Sequence, residues 1–136
     1  MLTLEQMKMI MAKDRYATEQ TGIVIDEIGP DTAVCSMQIT PQHKNAYGTV
    51  MGGAIFTLAD FCFGVAANNS GEYISMSFEC NITFLRAART GTLHATAVPL
   101  KMGKNLCFYR IDITDDEGTL TAQASVTGSR QAVGQK

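Results

Sequence analysis

The chain has 136 residues, 46% of them hydrophobic and 18% charged, with a formal net charge of −2. That length suits one domain, residues 1–136, with its own core, and the composition is too apolar for a disordered segment. No broad basic face is available for nucleic acid, so no nucleic-acid partner is expected.

Residues 3–19 are predicted to form an amphipathic helix, within an N-terminal helical segment 1–20. Thr3 is a candidate N-cap, and Gln6 three residues later completes a capping-box pattern. Leu4, Met7, Ile10 and Met11 recur at helical spacing, and Gly22 ends the segment. The opening run lacks a basic stretch leading into a continuous apolar one, so no secretory signal is expected. Two strands follow, Ile23–Ile28 and Ala33–Ile39, joined by the turn signal Gly29-Pro30-Asp31.

Pro41–Val50 reads as a polar loop. Gly52-Gly53 then opens a helix running to about Asn68, where Asn68-Asn69-Ser70-Gly71 stops it. This helix is apolar on every side, except that it carries Asp60, its only ionisable carboxyl or amine. A charge there is costly to bury unless it is paired or used, so Asp60 is the first candidate functional residue. The stretch is short for a bilayer span, which needs ~20 apolar residues, and no membrane association is expected.

The remainder reads as strands: Tyr73–Leu85, Gly91–Leu100, Leu106–Thr114 and Thr119–Thr127. Turns fall at Met102–Asn105 and Asp115–Gly118. In the first, Ile74, Met76, Phe78, Cys80, Ile82 and Phe84 share one face. Ser75, Ser77, Glu79 and Asn81 share the other. Residues 129–136 form a polar tail, expected to fray. A helix apolar all round must be covered all round. One curved sheet can wrap most of it and a partner subunit the rest, which argues for an oligomer. The four cysteines are widely spaced and sit in apolar patterns, and the two histidines, His43 and His94, are far apart. No metal site is expected, and a reduced, cytoplasmic protein is the simplest expectation.

Three blocks in order carry a family resemblance. The first is Asn45, Gly48, Met51-Gly52-Gly53 and Leu58-Ala59-Asp60. The second is Ser77 to Phe84, matching a Ser-x-x-x-Asn-Ile-x-aromatic strand. The third is the turn Lys101-Met102-Gly103-Lys104. Together they resemble the hotdog-fold acyl-CoA thioesterases, and most the branch of the phenylacetate-pathway (PaaI-like) enzymes. The resemblance spans roughly residues 14–128. It departs at one position, where the family's His is Met51.

The resemblance implies an α+β hotdog fold, a long central helix wrapped by a curved antiparallel sheet. It implies hydrolysis of an acyl- or aryl-acyl-CoA thioester with no cofactor. Gly52 N–H would hold the thioester oxygen and Asp60 would act as general base, or as a nucleophile forming a mixed anhydride. Asn45 would donate to the carbonyl or a water, and Ser77 would orient water. Met51, Gly53 and Tyr47 would border the substrate, and Arg86, Lys101 and Lys104 would meet CoA phosphates, with Arg89 a further cation. The active site would straddle a homodimer, Asn45 and Gly52 of one chain facing Asp60 of the other, and two dimers would form a homotetramer.

Each residue also has a plainer role. Gly52-Gly53 could serve close packing alone, Asn45 could be a turn residue, Ser77 a solvent-facing strand serine, and the cations a solvated surface. Tyr47, Phe61 and Phe63 could line the acyl pocket, and core or interface packing is the plainer reading, preferred for Phe61 and Phe63. A non-catalytic acyl-CoA-binding protein is the alternative function. A hydratase or dehydratase ranks below it, because position 51 is not His.

Overall fold

The computed structural model describes residues 1–134. Thr3 caps α1 (Leu4–Met11). Its hydroxyl accepts from Gln6 N–H, and the Gln6 side chain accepts from Thr3 N–H, so the predicted capping box is formed. The helix stops at Met11, earlier than the periodicity predicts. After a break, Tyr16–Gln20 winds as a single π-type turn, closed by Thr21 N–H on the Tyr16 carbonyl at 2.9 Å. Gly22 then turns the chain at φ +76.

β1 (Ile23–Gly29) and β2 (Thr32–Gln38) form the expected hairpin. The long helix α2 spans Gly52–Ala67. The segment predicted as one strand from Tyr73 to Leu85 is two: β3 (Tyr73–Ile74) and β4 (Ser77–Phe84). β5 (Thr92–Met102), β6 (Leu106–Thr114) and β7 (Leu120–Ser129) complete a six-stranded antiparallel sheet in the order β1-β2-β5-β6-β7-β4. The tail does not fray where β7 runs on to Ser129, and β8 (Gln131–Ala132) pairs with β3, because Tyr73–Ile74 offers it a free edge. The expected tail's last two residues lie outside the described residues.

The sheet curves around α2. Beneath the helix, the central strands present small side chains: Ala95 and Ala97 on β5, Ala122 and Ala124 on β7, all at most 1% exposed. Those alanines let the large helix residues Leu58 and Phe63 seat on the sheet, and Phe63 meets the Tyr109 ring edge-on at 5.3 Å. This is native-like interdigitation of large and small residues.

One side of α2 stays open. Gly53, Phe56, Thr57, Asp60 and Gly64 recur at helical spacing and are exposed or half-buried. Beside this stripe lies β4, an edge strand with Phe78 69% and Phe84 51% exposed. Sheet edges and apolar patches of this kind are surfaces that proteins ordinarily cover.

Candidate active site

Asp60 sits half-buried on the open side of α2, where it accepts a hydrogen bond from Ser77 Oγ at 3.1 Å. The strand pattern placed Ser77 on one face with Ser75, Glu79 and Asn81. The structure corrects this. A β-bulge at Phe78 shifts the register between Ser77 and Glu79, so Ser77 pairs with Gly128 while Cys80 pairs with Val126. One extra residue flips the side chains that precede it to the opposite face. Ser77 therefore joins Cys80, Ile82 and Phe84 toward α2. Burial and then the Asp60 charge push the Cys80 thiol up to about 11, consistent with its place beside the carboxylate.

Asp60 and Ser77 border a cleft of about 610 Å³. Phe56, Phe63, Gly64 and Met76 form its apolar walls, and Asp14, Arg15, Tyr16 and Ala17 bring the π-type turn to its rim. Sequence reasoning missed this N-terminal contribution, because nothing local in residues 14–17 signals where a turn will dock. Phe61 and Phe63, read as packing residues, are buried, and both also touch the cleft.

The other end of α2 is organised by the loop before it. Asn45 Oδ1 accepts from the N–H groups of Tyr47 and Thr49, and Nδ2 donates to Thr49 Oγ1 at 2.8 Å. Asn45 thus builds a tight turn, with Gly48 at φ +78 supplying the left-handed residue. One Nδ2 hydrogen is spent on Thr49; the amide carries a second. Buried His43 anchors the loop: Nδ1 accepts from Thr40 N–H, and Nε2 donates to the Thr21 carbonyl at 2.7 Å. The His43 carbonyl in turn accepts from Met51 N–H at 2.8 Å.

Met51 is the N-cap residue of α2, and its carbonyl takes the N–H groups of Ala54 and Ile55. The Gly52 and Gly53 N–H groups precede those bonds, at the positive end of the helix dipole. Gly52 is also pressed by a neighbour, since a Cβ there would lie 3.0 Å from Phe84 Cζ. The Met51 side chain is 58% exposed beside it, and Tyr47 stands exposed at the loop tip.

These two ends do not meet within one chain. Eight residues of helix separate Gly52 from Asp60, about 12 Å along the axis. The cations divide in the same way. Arg86 lines the groove at Gly52 with Phe84 and Leu85. Lys101 and Lys104 lie at the opposite end of the sheet, in the row where Met102, Cys107, Gly128 and Ser77 are paired across strands. The run from Ser77 to Phe84 makes that separation roughly 23 Å. Arg130, unmarked by sequence reasoning, joins the Lys104 turn: its Nη1 donates to the Gly103 carbonyl, and its guanidinium stacks 3.6 Å over the Tyr73 ring. Among the described residues, no cluster of three or more His, Cys, Asp or Glu side chains could hold a metal ion.

A model of the thioesterase superfamily matches residues 47–122. The acyl-coenzyme A thioesterase PaaI of Escherichia coli is 36% identical over 108 residues, covering 79% of this chain and 76% of that protein. Human acyl-coenzyme A thioesterase 13 is 32% identical over 130 residues, covering 92% of each. The solved structure of the E. coli PaaI protein from the phenylacetic acid degradation operon superposes with a TM-score of 0.81 at 29% identity. That superposition covers 94% of this chain and 96% of that one.

Proposed function

This chain belongs to the thioesterase superfamily, and from that premise we propose that it hydrolyses an acyl- or aryl-acyl-CoA thioester to the free acid and CoA. The carrying observation is a half-buried carboxylate, Asp60, held by Ser77 at 3.1 Å on the wall of an apolar cleft. It lies on the same helix whose first N–H groups are those of Gly52 and Gly53. A half-buried anion with one fixed hydroxyl partner and an open side is suited to take a proton from water.

The site is composite, because a thioester carbonyl cannot touch Gly52 N–H and lie one water away from Asp60 across about 12 Å. A two-fold pairing of protomers along the open side of α2 and the β4 edge brings the Gly52 end of one chain against the Asp60 end of the other. The same pairing covers Phe78 and Phe84. It also sets Arg86 of one chain near Lys101 and Lys104 of its partner, where they meet the CoA phosphates. A second pairing of dimers gives a tetramer.

In this site Gly52 N–H and the helix dipole polarise the thioester oxygen. Ser77 fixes the carboxylate, and Asp60 removes a proton from the attacking water. The oxygen of water bonds to the carbonyl carbon and the oxyanion forms at Gly52. Collapse then breaks the C–S bond, and the CoA thiolate leaves with the proton that Asp60 took up. Asn45 offers its second amide hydrogen to the carbonyl side, while Gly53, Met51 and Tyr47 border the entrance. Four free cysteines, three of them buried, suit a reducing compartment, and we place the enzyme in the cytoplasm.

The test is thiol release from short, medium and aryl acyl-CoAs, with the protein's own thiols subtracted and Asp60→Ala as control. Release that disappears in Asp60→Ala supports the mechanism, and undiminished release overturns it. If no substrate releases thiol while acyl-CoA raises the melting temperature, the chain is a binding protein instead, and Met51→His is the first reversion to make.

A further inference from the structure

The cleft beside Asp60 is not the only cavity against α2. A second, of about 470 Å³, lies between α1 and β1. Met11, Ala12, Ile23 and Ile25 make it largely apolar, and Lys8 and Asp26 stand at its rim. One residue lines both cavities: Phe61, 4% exposed. The π-type turn runs along the same partition, with Ala17 facing the Asp60 cleft and Thr18 facing the second cavity. Asp60 and Phe61 both line the first cleft.

From these positions we infer that Phe61 is the residue that sets acyl-chain length, acting as a plug between the two cavities. It deepens the proposed function and rests on it. With the plug in place, the Asp60 cleft alone receives the acyl part, and the substrate is a short-chain or single-ring acyl-CoA. Removing the ring joins the cavities and opens a channel toward Lys8 and Asp26. A longer chain can then run beneath α1 rather than stop against an aromatic wall.

The experiment is a length series of straight-chain acyl-CoAs, from butyryl to dodecanoyl, with benzoyl-CoA as the ring probe. It compares the wild type with Phe61→Ala and Phe61→Leu. The wild type should favour the short and ring substrates. In Phe61→Ala the ratio of kcat/KM for dodecanoyl to butyryl should rise by roughly tenfold or more, as excluded methylenes become buried ones. Phe61→Leu should fall between. Adding Ile25→Phe to Phe61→Ala refills the second cavity and should return the ratio toward that of the wild type. An unchanged ratio in folded Phe61→Ala and Phe61→Leu overturns the inference, and so does a wild type that already prefers dodecanoyl-CoA. Should Phe61→Ala fail to fold, Phe61→Leu and the wild-type cut-off decide.

Calorimetric binding of non-hydrolysable thioether analogues over the same lengths separates this inference from the function it rests on. A binding cut-off that moves with Phe61 in a chain that never releases thiol supports the plug and refutes the hydrolase. Thiol release with a cut-off indifferent to Phe61 does the reverse.

Discussion

Two inactive variants of this protein should restore each other when mixed. The first is Asp60→Asn, which keeps a hydrogen-bonding partner for Ser77 but removes the base, and should lower kcat by ~10²–10⁴. The second is Gly52→Pro, which removes the N–H at the helix start. Proline is well tolerated at a first helical position, and the preceding Met51, at φ −62 and ψ 138, already has the backbone that a residue before proline requires. The new Cβ would press on Phe84 at 3.0 Å, which asks the far end of that ring to give by a few tenths of an ångström. Loss of one oxyanion donor should lower kcat by ~10²–10³.

Gly52 and Asp60 stand about 12 Å apart on one helix, and in the composite site proposed above each site draws them from different protomers. A heterodimer then has one site with both residues intact and one with neither. Random re-association of equal amounts makes half the dimers heterodimers, so activity should recover to about a quarter of wild type in the mixture and about half in purified heterodimers. The assay is thiol release after subunit exchange between differently tagged variants, followed by purification on both tags. Doubly tagged dimers without recovered activity would refute the composite site, since a site built within one chain is broken in every protomer of the mixture.

Three further outcomes follow from the same geometry. Ser77→Ala should reduce kcat roughly tenfold with little change in KM, since the lost partner is a hydrogen bond to a charged group; steady-state kinetics read the split. Asp60→Asn should speed alkylation of Cys80 at a fixed alkaline pH. Burial and then the Asp60 charge hold that thiol up at about 11, and removing the anion lowers its pKa and raises the thiolate fraction; mass spectrometry of iodoacetamide-treated protein measures the rate. Gly128→Ala should destabilise the fold by about 1–3 kcal/mol, because a Cβ there would lie 2.5 Å from Phe63 Cζ and 3.0 Å from the Met76 carbonyl; denaturant melts give the value.

Local chemistry determined much of this protein. Thr3 and Gln6 announced a capping box, Gly29-Pro30-Asp31 a hairpin turn, and Gly52-Gly53 the start of an apolar helix whose lone carboxylate, Asp60, faces a cleft. These are short-range facts: caps, turns and hydrophobic periodicity act over a few residues, so the chain states them directly. What only the tertiary structure decided involves partners far apart in sequence. The bulge at Phe78 reverses the alternation and turns Ser77 toward Asp60. A strict period of two cannot reveal such an insertion, because the extra residue shows only in how β4 pairs with β7. The pairing of Gln131–Ala132 with β3 and the docking of residues 14–17 at the cleft likewise depend on surfaces that exist only once the sheet has closed around α2. The sequence could mark a carboxylate and a helix start; only the structure sets them about 12 Å apart along one rigid helix, a spacing too long for one substrate carbonyl to bridge, and the proposed two-protomer site rests on that spacing.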